Sequence, residues 1–409
     1  MNDNLKVLIL TCATGEGHNS AARAIEAELI NRGIECEVKD TYSFKGEKAQ
    51  KRVSSRYTTI ITRFPLFFGF LYKIGGLYDS LRLPSPVYAM NACYAGKLNA
   101  YIIENKFNCV ICTHLYAMEA MTAVREEYCN RVKTYGVLTD YTAIPFYKDT
   151  SLDGYFVSDE RVKNMLVKKG ISEEIIFCTG IPVHPKFNAV YGKRELRERL
   201  NIPADKKFVA VMTGGAGCGK IVRLCKKFDR ATDDSFYIAV FAGRNEQLRK
   251  KLEKRFAGNE KFAVMPFTSQ MDLYIKAADI AVTKPGGLSS TELAVCNIPI
   301  VHLHSVPGVE TYNLKYFAGN GLSLKSKTTA EAVKNTLKLL GDGACADAMR
   351  AIQKFFINAY AVDGIAGKIE EDRASERIFT ATVHNGRISY GQYPVQQNYS
   401  EVYDAARYL

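Results

Sequence analysis

Two glycine loops carry the residue types best suited to hold a phosphate. The first, Cys12-Ala13-Thr14-Gly15-Glu16-Gly17-His18, follows the apolar run Leu5 to Thr11. The second, Lys284-Pro285-Gly286-Gly287-Leu288-Ser289-Ser290-Thr291-Glu292, follows Ile280 to Thr283. Each precedes an amphipathic helical pattern, a context that aims backbone N–H groups and the positive end of a helix at an anion. Glycine lets the backbone turn tightly and approach phosphate oxygens closely. Either loop alone reads equally well as fold punctuation. Together they imply two nucleotide-type domains facing one cleft.

Other chemical motifs fail on inspection. Gly214-Gly215-Ala216-Gly217-Cys218-Gly219-Lys220 has the spacing of a Walker A loop, but Ile221 stands where a Ser or Thr must hold magnesium, which argues against a kinase or ATPase. Gly15-x-Gly17-x-x-Ser20, with Asp40 further on, approaches a dinucleotide fingerprint; its third glycine is missing and a His intrudes, so a dehydrogenase reading stays open but unsupported. His302 and His304 share one strand face, too few ligands for a metal, and read as structural. The eleven cysteines show no zinc-like double C-x-x-C; Cys109 and Cys112 form one C-x-x-C, but inside a predicted buried strand, so this pair reads as buried thiols.

The elements that must position the loops alternate along the chain. Predicted strands are Leu5 to Thr11, Cys36 to Asp40, Asn108 to Thr113, Val132 to Leu138, Gly154 to Val157 and Ile175 to Cys178, separated by helical patterns such as Asn19 to Arg32 and Tyr116 to Tyr128. The order restarts with Lys207 to Met212, Phe236 to Phe241, Lys261 to Met265, Asp279 to Thr283 and Ile298 to Leu303. Such alternation specifies parallel sheets covered by helices, an α/β fold. The prolines and charges of Pro182 to Pro203 read as the connection.

A chain of 409 residues suits two domains, and 47% hydrophobic residues can fill both cores. No apolar stretch reaches the roughly 20 residues needed to span a bilayer, and Met1 to Lys6 leads into a strand without a signal-peptide pattern, so the expectation is a cytoplasmic protein. The net charge of +12 is uneven: Lys45 to Leu83 holds eight Lys/Arg against two acids. That segment includes Arg63, Phe64, Phe67, Phe68, Phe70 and Lys73, a basic aromatic stretch suited to a lipid headgroup boundary and equally to a core helix with a solvated basic face. No nucleic-acid-binding motif is present.

The constellation is more specific than its parts. Leu8-Ile9-Leu10-Thr11 through Ala22, Thr139-Asp140-Tyr141, Thr179-Gly180-Ile181-Pro182-Val183, Val282-Thr283-Lys284-Pro285-Gly286-Gly287 through Glu292, and Pro307-Gly308 follow one another in order. In this order the chain resembles the GT-B glycosyltransferases that include the monogalactosyldiacylglycerol synthases and processive diacylglycerol glucosyltransferases. A more distant likeness is to the N-acetylglucosaminyltransferase of peptidoglycan synthesis. The resemblance implies a GT-B fold of two Rossmann-like doubly wound domains. It divides the chain into an acceptor and membrane-facing domain at 1–182, a UDP-sugar domain at 183–345, a helix at 346–373 returning to the first domain, and a polar extension at 374–409 with Tyr390, Tyr393, Tyr399, Tyr403 and Tyr408.

The resemblance also implies roles. Glu292 would accept hydrogen bonds from the uridine ribose, beside its capping role at a helix start. Thr268 would face uracil. Gly214, Gly215, Gly286, Gly287, Ser289, Ser290 and Thr291 would hold the diphosphate through N–H groups and hydroxyls, with no required metal and no further cofactor. His18 would be the general base or position the acceptor, next to the loop glycines Gly15 and Gly17. Asp140 would orient His18 or the acceptor hydroxyl.

Departures from the family pattern fall at His184, where relatives often carry Arg, and at Pro307-Gly308-Val309-Glu310, where many read Gln before the Glu. His184 would make a phosphate contact pH dependent, and Val309 removes a side-chain hydrogen bond to the hexose beside Glu310. The stretch Tyr141 to Pro145 also lacks a His that relatives tend to carry. The implied function is inverting transfer of a hexose from UDP-glucose or UDP-galactose to a membrane lipid hydroxyl, diacylglycerol first, at an anionic inner membrane face. A UDP-sugar epimerase, a transferase to another acceptor, and a non-catalytic nucleotide-sugar sensor are the competing expectations.

Overall fold

Runs of β-branched and other apolar residues become strands here because helices cover both faces of each sheet. In the computed structural model, which describes residues 5–12, 15–46, 85–214, 220–303 and 308–383, Val7, Leu8, Ile9 and Leu10 are all 0% exposed. The first half supplies β1 (Lys6–Thr11), β2 (Glu35–Asp40), β3 (Cys109–Cys112), β4 (Lys133–Val137), β5 (Gly154–Val157) and β6 (Ile176–Cys178). They form one parallel sheet in the order β2-β1-β3-β4-β5-β6. The second half supplies β7 (Lys207–Met212), β8 (Phe236–Phe241), β9 (Phe262–Met265), β10 (Ile280–Thr283), β11 (Ile300–His302) and β12 (Leu324–Lys325). Their parallel order is β12-β11-β10-β7-β8-β9.

Both sheets are doubly wound, as expected, and each has one point where the chain reverses its direction of winding. In the first sheet it lies between β1 and β3, and in the second between β7 and β10. The crevice beyond the carboxyl ends of strands at such a point is where open α/β sheets hold ligands. The His18 loop leaves β1, and the Gly286-Gly287 loop leaves β10.

Two local differences from the sequence reading matter. The first helix spans Glu16–Asn31, three residues earlier than its pattern indicates, so Gly17 and His18 are helical. Docking of Ala21, Ala22, Ile25 and Leu29 into the core outweighs the roughly 1 kcal/mol that glycine costs in a helix. Strand β12 has two residues, too few for a readable alternation.

The last helix, Ala361–Val383, packs Val362, Ile365, Ala366 and Ile369 against Val7, Ile9, Ala22 and Ile25 of the first sheet's layers. Arg32 ties to Asp363 and Glu370, and the Tyr135 hydroxyl donates to Asp372 at 2.6 Å. The stretch 47–84, including Arg63, Phe64, Phe67, Phe68, Phe70 and Lys73, lies outside the described residues, as do Gly215 and 384–409. Among the described residues no helix is long and apolar enough to cross a membrane.

The two places where the chain passes between halves lie side by side. Asn358 Nδ2 donates to the Thr179 carbonyl at 2.9 Å, and Asn188 Nδ2 to the Ala359 carbonyl at 2.8 Å. Gly180 sits at this crossing with φ +94°, and a Cβ there would lie 3.1 Å from Ala361 Cβ. Gly180→Ala is therefore expected to cost about 1–2 kcal/mol of stability. Chemical denaturation of the two proteins checks this; equal midpoints would contradict it.

Candidate active site

His18 is held across the carboxyl ends of three strands. Its Nδ1 lies 2.9 Å from the Thr113 carbonyl beyond β3 and 2.9 Å from Thr139 Oγ1 beyond β4. A carbonyl oxygen only accepts, so Nδ1 carries the proton and Nε2 carries the lone pair. The residue is half-buried, and burial lowers its pKa to about 4 against the opposing effect of the Thr113 bond. The result is a neutral imidazole with its lone pair on Nε2 at neutral pH.

Asp140 does not orient this imidazole. Its Oδ1 accepts from Asn313 Nδ2 at 2.8 Å, and the Gly287 backbone N–H also donates to the carboxylate. Burial pushes the Asp140 pKa up to about 6, with the Asn313 bond opposing, the Glu310 charge adding to the rise, and Lys284 and Gly287 opposing it. The same Asn313 accepts from Tyr141 N through Oδ1 at 2.9 Å. Tyr141 then enters the second half, stacking on Tyr316 at 4.2 Å with its hydroxyl 2.8 Å from Thr291 Oγ1. Thr139, Asp140 and Tyr141 thus form a junction between the halves, with Gly287 as its floor.

A cleft of about 650 Å³ opens beside this junction, with walls from both halves. Glu292, Ser289, Thr268, Gly214 and His184 line it, as do Glu16 and Arg23 of the first helix. Burial raises the Glu292 pKa to about 7; the Lys186 and Arg23 charges oppose this and Asp272 adds to it. Its carboxyl makes no side-chain hydrogen bond to another described residue, which leaves it open to donors from a ligand. His184 Nδ1 accepts from Lys186 N at 3.2 Å, and burial, helped by Lys186, lowers its pKa. Thr268 Oγ1 accepts from Gln270 N at 3.0 Å, so its hydroxyl shapes the turn after β9. At the cleft mouth, Arg244 pairs with Glu16 from the opposite half and covers the Phe267 ring at 5.0 Å.

The structure brings only part of the second loop to the cleft. Ser289 and Glu292 face it, one helical turn apart. Ser290 Oγ is instead buried 2.9 Å from His302 Nε2, whose Nδ1 lies 2.9 Å from Ser323 Oγ. Thr291 Oγ1 donates to the Gly287 carbonyl at 2.7 Å and meets Tyr141. The hydroxyls of Ser290 and Thr291 are therefore packing groups, because adjacent helical positions point to different faces. His302 is structural, as its sequence context indicates.

Gly214 has φ +71°, and a Cβ there would lie 2.5 Å from Lys284 Cε. Lys284 Nζ pairs with Glu310 Oε1 at 2.6 Å, placing Glu310 near Asp140. Gly286 caps the Gly287–Val295 helix, and Gly17 faces Leu288 across the junction. Gly15 is exposed at the start of the first helix. Sequence reading passed over His114, Asn313 and Arg244, and gave Lys284, quoted in the second loop, no role of its own. The signal for His114 was its place directly after a core strand at a carboxyl edge.

Two family models match the chain in tandem. The model for monogalactosyldiacylglycerol (MGDG) synthase covers residues 18–183, and that for the glycosyltransferase family 28 C-terminal domain covers 208–359. The chain belongs to this glycosyltransferase family. Its relatives include the processive diacylglycerol beta-glucosyltransferase of Bacillus cytotoxicus, 27% identical over 350 residues, covering 84% of this chain and 87% of the relative. The enzyme of the same name from Bacillus subtilis strain 168 is 25% identical over 346 residues, covering 84% and 88%.

Solved structures with the same fold include Acinetobacter baumannii MurG, with a TM-score of 0.58 at 14% identity, covering 90% of this chain and 99% of that one. The UDP-GlcNAc 2-epimerase of Neisseria meningitidis bound to UDP-GlcNAc gives 0.59 at 14%, covering 90% and 100%. The fold of this glycosyltransferase is therefore GT-B, two Rossmann-like domains about a central cleft.

The junction can be tested without substrate. A Cβ at Gly287 would fall inside contact distance of the Thr139 carbonyl oxygen and 2.6 Å from Asp140 Oδ1. Gly287→Ala should separate the halves, giving a larger radius of gyration in small-angle scattering with unchanged circular dichroism. An unchanged radius would mean that this contact does not hold the halves together in solution.

Proposed function

We propose that this glycosyltransferase moves a hexose from a UDP-sugar to the hydroxyl of diacylglycerol, with inversion at the sugar C1. The observation that carries the reading is the neutral His18 with its lone pair on Nε2, held by Thr139 at the junction between the halves, next to which a cleft is lined by Glu292 and Ser289 of one helix. The acceptor hydroxyl gives its proton to Nε2 as its oxygen bonds to C1, and the C1–O electron pair leaves with the diphosphate. Glu292 accepts the two ribose hydroxyls, and Thr268 lies at the base-binding end. Gly214, Gly286, Gly287 and Ser289 hold the diphosphate by backbone N–H groups and one hydroxyl, with no required metal. Arg244 adds positive charge at the cleft wall, where His184, its pKa lowered by burial, stands as a neutral imidazole.

The names of the relatives support a lipid acceptor. A diacylglycerol acceptor places the enzyme at the inner face of the cell membrane, with the basic aromatic segment around Phe67 and Phe68 as its contact with anionic lipid. Closure of the halves keeps water from the donor.

Release of UDP from UDP-glucose and from UDP-galactose, with and without vesicles containing diacylglycerol and anionic lipid, tests the reading. Lipid-stimulated release with a glycolipid product is expected. UDP binding without turnover would point to a sensor, and turnover indifferent to lipid would point to an epimerase or another acceptor. His18→Ala should lower transfer by at least about 100-fold while sparing UDP affinity.

Glu292 supplies a pH signature. Ribose donors favour the carboxylate, so binding must expel the proton that a pKa of about 7 leaves on Glu292 below neutrality. UDP affinity should then weaken by about tenfold from pH 8 to pH 6 through this group. Dividing the parent affinity by that of Glu292→Gln at each pH removes the titration of the ligand's own phosphate. A ratio that stays flat across this range would reject the ribose contact.

A further inference from the structure

Three helices cover one face of the second sheet, and their outer surfaces share one sign of charge. Leu224 and Phe228 of Ile221–Ala231, Leu252 and Phe256 of Glu246–Phe256, and Val333 of Thr329–Gly341 enter one core with Val209, Val211, Ile238 and Val240 of β7 and β8. Those contacts fix the inward stripe of each helix, so the opposite stripe meets water. On the first helix that stripe carries Arg223, Lys226 and Arg230, all exposed at spacings of three and four. Lys251 and Lys254 are exposed on the second helix, and Lys334 and Lys338 on the third. None of these cations forms an ion pair with an acid among the described residues.

The acids of the same helices are committed elsewhere. Glu246 and Glu253 both pair with Arg249. Asp229 accepts from Asn259 Nδ2 at 2.8 Å and lies 3.3 Å from Lys261 Nζ. Glu331 closes the start of its own helix: its N–H donates to Thr328 Oγ1 at 3.1 Å and its carboxylate accepts from Lys327 N at 2.7 Å. Exposed Asp233, Asp234 and Glu260 stand in the turns that lead into β8 and β9, at the edge of the sheet away from the cleft, and Asp342 caps the next helix. The bodies of the three helices therefore present cations without neutralising acids. Such a surface repels itself and gains when a polyanion covers it.

We propose that this three-helix face docks on the headgroups of an anionic lipid bilayer. It goes beyond the transfer reading, whose only membrane contact is the segment around Phe67 and Phe68 in the first half of the chain. Charge complementarity selects a polyanion, and the side chains that the face lacks select among polyanions. No exposed residue of the three helices is aromatic or a large aliphatic. Single-stranded nucleic acid is held by stacking on aromatic rings set between basic residues, which this face cannot offer. A bilayer surface asks only for cations spread over a broad face. With no apolar side chain to insert, the contact stays at headgroup level and weakens with salt. Ile221–Ala231 and Glu246–Phe256 both begin at the cleft edge, where Gly214 and Arg244 line the mouth, so docking holds that mouth beside the membrane.

Sedimentation of the full chain with vesicles tests the assignment, using phosphatidylcholine alone and phosphatidylcholine mixed with phosphatidylglycerol in equal parts. The parent should bind the anionic vesicles, ignore the neutral ones and be released by high salt. Replacing Arg223, Lys226 and Arg230 together with Gln, at matched melting temperature and UDP affinity, should weaken anionic-vesicle binding on the order of 100-fold, about fivefold for each cation near the surface. A control that replaces exposed Lys168, Arg194 and Lys354 with Gln removes the same charge elsewhere and should bind like the parent. A face variant that binds like the parent, a control that loses as much, or a parent that ignores anionic vesicles or binds neutral ones equally well would overturn the assignment. A parent that ignores these vesicles but binds short RNA through the same three cations would give the face to nucleic acid instead. The vesicles hold no diacylglycerol, so these outcomes are independent of whether sugar is transferred to that lipid.

Discussion

The contact of Thr139, Asp140 and Tyr141 with Gly287, Thr291 and Asn313 sets the distance between two half-sites that neither domain could fix alone. His18 is positioned by the edge of one sheet, and Glu292 by a helix that follows a strand of the other. Asn313 joins them by reading two consecutive residues, accepting from the Tyr141 amide and donating to the Asp140 carboxylate. Gly287 permits the approach because any side chain there would collide with the opposing backbone. The junction is also self-limiting. Burying Asp140 raises its pKa to about 6, so part of what the hydrogen bonds contribute offsets desolvation. Such a contact suits halves that must part to exchange substrates and meet again in one register.

Burial has opposite chemical consequences at His18 and at Glu292. For His18 it disfavours the cation and keeps a base unprotonated at neutral pH. For Glu292 it disfavours the anion and leaves a carboxyl that gains most from hydrogen-bond donors. A single physical condition, burial within the protein, thus keeps the imidazole neutral and holds the carboxyl partly protonated. The ion pair of Arg244 with Glu16 at the mouth adds little stability where it is exposed to solvent, but it places a cation beside the wall formed by Phe267.

Much of this was legible in the sequence because the sheets are parallel and covered on both faces. Runs such as Val7 to Leu10 and Val209 to Val211 need no alternation to be recognised as buried strands. The loops were found from their glycines. What escaped was face and pairing. Ser290 and Thr291 lie between Ser289 and Glu292 in sequence, yet the helical repeat sends their hydroxyls inward while the residues flanking them face the cleft. His114 and His18 are neighbours only because β3 pairs with β1, a register fixed by the whole sheet. Asn313 meets Asp140 only after two domains have folded and docked, and no local pattern encodes that.

The low basicity of His18 bears on the order of events in a catalytic cycle. In the proposed transfer, an imidazole whose cation is disfavoured by burial is a poor proton acceptor from an alcohol in the ground state, so its protonation would follow the growth of negative charge on the departing diphosphate. As that charge develops nearby it would favour the imidazolium, strengthening the base as the bond changes. Once the bond has changed, the charged ring and the diphosphate would stabilise each other, most strongly where the halves exclude water.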